Sequence, residues 1–116
     1  MYTGVANEFE ELKDFETASY FYKKCLDVSI RAKYVEGEAQ AYMGLGKCEE
    51  QVLNKHFAME NLETALDKAT DGNLSRLEKE ISKELVRVYQ KIAISFQEQN
   101  EFDKALQFFE KCLIST

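Results

Sequence analysis

The sequence predicts an all-α fold, three antiparallel helical hairpins stacked in a row, and three observations carry it. None of the 116 residues is proline and only 5 are glycine, so few positions break a helix. Apolar residues recur at intervals of three and four, the spacing of one helix face. The pattern also repeats: a displacement of 87 residues brings Tyr2, Val5, Ala6 and Phe9 onto Tyr89, Ile92, Ala93 and Phe96. It carries Phe15, Ala18, Phe21 and Tyr22 onto Phe102, Ala105, Phe108 and Phe109, and Cys25 and Leu26 onto Cys112 and Leu113. Self-similarity at a fixed period marks a stacked array.

The first unit, about 1–33, is expected to hold helices over 2–12 and 15–32. The second, about 37–70, is expected to hold helices over 37–53 and 56–69. Here Tyr42, Leu45 and Gly46 stand where Tyr89, Ile92 and Ala93 stand later, and Ala58, Leu62, Ala65 and Leu66 match Ala105, Phe109, Cys112 and Leu113. Glu49 and Lys55 replace two aromatics, and Val52, Leu53 and Phe57 offer side chains to refill that corner. The third unit, about 74–116, is expected to hold helices over 74–99 and 102–115. Asp71-Gly72-Asn73 is the strongest turn signal, Ser75 and Glu78 have capping-box spacing with Asn73 as a rival N-cap, and Asn100-Glu101 breaks the last hairpin. Small residues at Gly46, Ala93 and Ala105 fall where paired helices approach closely, and a larger side chain there overpacks the crossing.

Composition narrows function. Apolar residues are 45% and charged residues 31%, as in globular chains. A net charge of -6 argues against nucleic acid, which selects a surplus of Lys and Arg. Three cysteines at unpaired spacing make no disulfide framework, and reduced thiols imply a cytoplasmic setting. No apolar run approaches the roughly 18 residues of a membrane span, so no membrane partner is expected.

Catalytic motifs fail one by one. Gly44-Leu-Gly46-Lys47 lacks the P-loop's first glycine, where Ala41 stands, and its Ser or Thr, where Cys48 stands. His56 is the single histidine and has no metal-ligand spacing to any cysteine. Cys25 and Cys112 fall at equivalent core places, and Cys48 is reactive only if exposed. Asn73-Leu-Ser75 is a glycosylation sequon that matters only in a secreted chain. The charges alternating from Arg76 to Arg87 read as a solvated helix face. The chain is therefore expected to be no enzyme and to need no metal or cofactor.

The runs Tyr42-Met-Gly-Leu-Gly46 and Asn100-Glu-Phe-Asp-Lys-Ala105 resemble the tetratricopeptide repeat (TPR) family, over nearly the whole chain. The equivalent alanines Ala18, Ala58 and Ala105 lie 40 and then 47 residues apart, against a family period of about 34, so the likeness is to a long-repeat variant. The family's usual proline after the second helix is absent.

The resemblance implies a right-handed solenoid whose first helices line a concave groove that binds a protein or peptide partner. The residues it places there are Thr3, Asn7, Met43, Gly44, Lys47, Arg87, Gln90, Lys91 and Ile94. A carboxylate clamp, known from chaperone-adaptor members, falls on Thr3, Asn7, Gly44, Arg87 and Lys91, of which Asn7, Arg87 and Lys91 are compatible. The chain begins on a first helix and stops on a second with no polar cap, which reads as a piece of a longer array whose terminal helices self-associate. The runs Gly46–Gln51, His56–Leu62 and Arg76–Tyr89 resemble a member of the family found in the cilium and flagellum. That likeness implies a role in axonemal dynein assembly or transport.

Overall fold

The computed structural model describes residues 2–51 and 55–115, with side chains over 4–51 and 55–114. Helices α1 (Tyr2–Glu11) and α2 (Phe15–Ala32) form the first hairpin, α3 (Val35–Gln51) and α4 (Lys55–Asp71) the second, α5 (Ser75–Glu98) and α6 (Phe102–Ser115) the third. The described residues contain no strand. Each helix packs on its neighbours in sequence, while α1 also touches α3 and α3 touches α5. The result measures 44 × 31 × 19 Å, an open slab rather than rods closed around one axis.

Four turns share one device. Lys13, Lys33, Asn73 and Asn100 take the left-handed conformation, with φ between 55° and 63°. In each, the next residue's N–H reaches back to a carbonyl five positions earlier: Asp14 to Phe9, Tyr34 to Ser29, Leu74 to Ala69 and Glu101 to Phe96. These are Schellman stops, which satisfy carbonyls the helix end leaves open. The expected capping box is corrected here. Asn73 closes α4 instead of opening α5, Leu74 occupies the N-cap with no side-chain bond, and Ser75 is already helical. At the start of α2, Asp14 Oδ1 accepts from the Thr17 N–H at 3.3 Å.

Small residues set the helix spacing. Ala6, Ala18, Ala58 and Ala93 are fully buried, and a Cβ on Gly46 would lie 2.7 Å from Leu62 Cγ. The first and third hairpins each carry a stacked ring pair at equivalent positions, Phe9 on Phe21 and Phe96 on Phe108, both with centroids 5.7 Å apart. The middle hairpin has Glu49 and Asn61 at those places, so it gives up both rings together. Phe57 does not refill the corner, being 55% exposed, and Val52 and Leu53 lie outside the described residues. Two apolar clusters result, one joining α1 to α3 around Tyr22, the other running from α3 to α6 around Leu62 and Ile81.

Candidate functional site

The first helices of the hairpins, α1, α3 and α5, lie side by side and form one face of the slab. A recess of about 130 Å³ opens between them, lined by Asn7, Met43, Gly44 and Lys47 together with Tyr22, Gln40, Leu77 and Glu80. Gln40, Leu77 and Glu80 also line an adjoining hollow of about 350 Å³ beside Glu36 and Arg76. Four of the residues expected in the groove therefore share one recess. The long α5 brings Leu77 and Glu80 to its far wall, because its early turns run alongside α3.

Polar groups fix the α1 side. The Tyr22 hydroxyl lies 2.7 Å from Glu10 Oε1 and 2.5 Å from Asn7 Oδ1, and Lys47 Nζ lies 3.3 Å from Glu10 Oε2. A phenol has one proton to give, so with the Asn7 amide turned its N–H donates to the phenol oxygen and both contacts are served. Burial, reinforced by the Glu10 carboxylate, pushes the Tyr22 phenol far above its ordinary value of 10.0 and keeps it neutral. Gly44 is buried rather than solvent-facing: a Cβ there would run into the Tyr22 ring, which fills the space. It supplies the floor.

Farther along α5, Arg87 and Lys91 are already engaged. Arg87 Nη2 donates to Glu50 Oε1 at 2.7 Å and Lys91 Nζ donates to the same oxygen at 2.5 Å. Arg87 also lies 3.5 Å from Glu84 Oε2. The Glu50 side chain is 1% exposed, and its other oxygen has no hydrogen-bond partner among the described residues. Burial pushes this carboxyl up, but the hydrogen bonds and charges of Lys91 and Arg87 outweigh it and hold the group below its ordinary 4.5. With Lys47 on Glu10 and these two on Glu50, each cation expected in the groove meets an in-chain carboxylate. A carboxylate clamp would have to break those pairs.

Gln90 and Ile94 are exposed but line neither hollow, and the Thr3 side chain lies outside the described residues. Gln40, Leu77, Glu80, Glu10 and Glu50 were not legible as site residues. Glu50 had one signal, its place four and eight residues after Gly46 and Tyr42 on the buried stripe. Leu77 and Glu80 had none, since their position depends on how far α5 slides along α3.

The groups with reactive chemistry are quiet. Burial pushes the Cys48 thiol up to about 11 and raises Cys112 as well, so neither is a ready thiolate. His56 is exposed at the start of α4, and no three His, Cys, Asp or Glu among the described residues gather as a metal site. No helix of the described residues is long and apolar enough to cross a membrane.

Known proteins agree with this geometry. A family model described as tetratricopeptide repeat matches residues 86–113, across α5 and α6. No curated protein matches. Among solved structures, the apo form of RapI superposes with a TM-score of 0.71 and 21% identity, over 96% of this chain and 38% of that one. The TPR domain of Arabidopsis FLU gives 0.69 and 18%, over 97% of this chain and 89% of its own. At such identities the likeness speaks for the fold. The chain is an all-helical, TPR-like solenoid of stacked hairpins, with the repeat signature recognised in its α5–α6 pair.

Proposed function

We propose that the chain is a noncatalytic interaction scaffold that holds a partner peptide or helix in the recess between α1, α3 and α5. Stacked hairpins in general present concave binding surfaces of this kind. The observation that carries the reading is Met43 and Leu77 in a recess edged by Glu80, beside an adjoining hollow that Glu36 lines, on a chain of net charge -6. An apolar anchor entering there, flanked by neutral or basic residues, meets complementary chemistry. An acidic C-terminus does not, because the nearby cations are paired internally.

The finer setting is the cytoplasm of a cilium or flagellum, in axonemal dynein assembly or motility. Its support is the sequence likeness of three runs to tetratricopeptide repeat protein 29. Binding is tested by selecting peptides from a random library on the purified chain and remeasuring them on Met43→Glu. A drop in affinity of at least about tenfold with helicity unchanged is expected, since an anchor pocket carries most of the binding energy; equal affinity contradicts the recess. Reversing Arg87 and Lys91 is a poorer probe, because it strands Glu50 and threatens the fold. A second reading, a structural block that docks through its ends, is favoured by the exposed apolar residues of α6.

A further inference from the structure

Two carboxylates beside the recess have no firm partner within the chain. Glu36, in the first turn of α3, and Glu80, early in α5, line the same hollow of about 350 Å³. Glu36 accepts from the neutral Tyr34 hydroxyl at 3.3 Å and forms no ion pair among the described residues. Glu80 meets Arg76 at 3.9 Å, but the Arg76 side chain is 96% exposed, so that pair is loose and readily exchanged. Neither carboxylate bonds the open N–H groups where α5 begins. Glu10, Glu38, Glu50 and Glu84, by contrast, each pair with an in-chain lysine or arginine at 3.5 Å or less. Their charge is neutralised inside the molecule, whereas that of Glu36 faces the hollow.

Leu74 and Leu77 give this hollow apolar walls, and Gln40 and Ser75 add oxygens that accept hydrogen bonds. Arginine fits that combination better than lysine. Its guanidinium is flat and weakly hydrated, so it lies against apolar side chains while its fork of N–H donors reaches the carboxylates. The hollow has the room, since a cavity of about 150 Å³ already takes a benzene ring. It also adjoins the recess that Met43 lines, and Gln40, Leu77 and Glu80 belong to both. Two side chains of one partner therefore enter as neighbours.

We propose that the partner is a basic segment that sets an arginine between Glu36 and Glu80 while a neighbouring apolar side chain fills the Met43 recess. This rests on the scaffold reading above and fixes the partner's charged residue. Arg76 leaves Glu80 as the arginine enters, and Glu36 selects for it, having no in-chain cation to give up.

The probe is the tightest peptide selected from a random library on the native chain, titrated by calorimetry, with circular dichroism to verify folding. Its sequence is expected to contain an arginine beside an apolar residue. Glutamine in place of that arginine, or Glu36→Gln in the protein, should each weaken binding about tenfold. Together they should cost little more than either alone, because they remove one interaction. Glu110→Gln, on the exposed side of α6, removes the same charge and should leave affinity unchanged. Glu80→Gln repeats the measurement if Glu36→Gln loses helicity. A peptide without arginine, or losses that simply add, would overturn the arginine seat. Native affinity in Glu36→Gln with binding lost in Met43→Glu would overturn the seat and leave the recess standing. Native affinity in both variants would remove the recess and the seat with it.

Discussion

Glu50 holds the end of α3 to the middle of α5 by accepting from two cations at once. Glu50→Gln keeps the shape and removes the charge, so denaturant unfolding is expected to show a loss of about 2 kcal/mol, the worth of hydrogen bonds to a charged group. The sign with pH follows from its lowered value. The folded state binds the proton less readily than the unfolded one, so the stabilisation is complete above about pH 4.5 and fades as pH falls through the folded value. Glu50→Gln should flatten that part of the acid limb; an unchanged limb would place the acid sensitivity elsewhere. The two glycines at Gly46 and Gly4 make an opposite pair. Alanine at Gly46 drives a methyl against Leu62 and the Ala58 carbonyl, with an expected cost of about 1–3 kcal/mol. Alanine at Gly4 meets nothing within 4 Å among the described residues and gains up to about 1 kcal/mol of helix propensity. Thermal unfolding of the two variants checks both signs.

Among the elements, the turns are where the chain is least well matched to its backbone. Lys33 sits at φ 56° and ψ 39°, a conformation that costs an L side chain about 1–2 kcal/mol and glycine little. Its charge beyond the end of α2 returns part of that through the helix dipole. Lys33→Gly is therefore expected to stabilise by about 0.5 kcal/mol in urea unfolding. Destabilisation would mean that the lysine charge matters more than backbone strain. The helices themselves were legible because ring, alanine and cysteine positions recur at a constant displacement, which only repeated packing demands. The recess was legible in part. Asn7, Met43, Gly44 and Lys47 follow from their register on first helices, but the burial of Gly44 does not, since only the structure shows the Tyr22 ring lying over it. Arg87 and Lys91 look like free groove cations until Glu50, one acid among many, is found buried between them.

Across the molecule, stability is expected to be uneven. The larger apolar cluster ties α3 through α6 together, whereas the smaller one reaches α1 and α2. In an array each unit leans on its neighbours alone, so the α1–α2 hairpin should open first. Hydrogen exchange is expected to release α1 amides well before those of α4 and the first half of α5, and simultaneous exchange would argue for one indivisible core.

The central claim is that the face shared by α1, α3 and α5 receives a partner. Amide chemical-shift mapping with a library-selected peptide tests it most directly. Perturbations gathered at Asn7, Gln40, Met43, Leu77 and Glu80 are the expected result. Perturbations confined to α6, or spread over the second helices α2, α4 and α6 with that face silent, would contradict it.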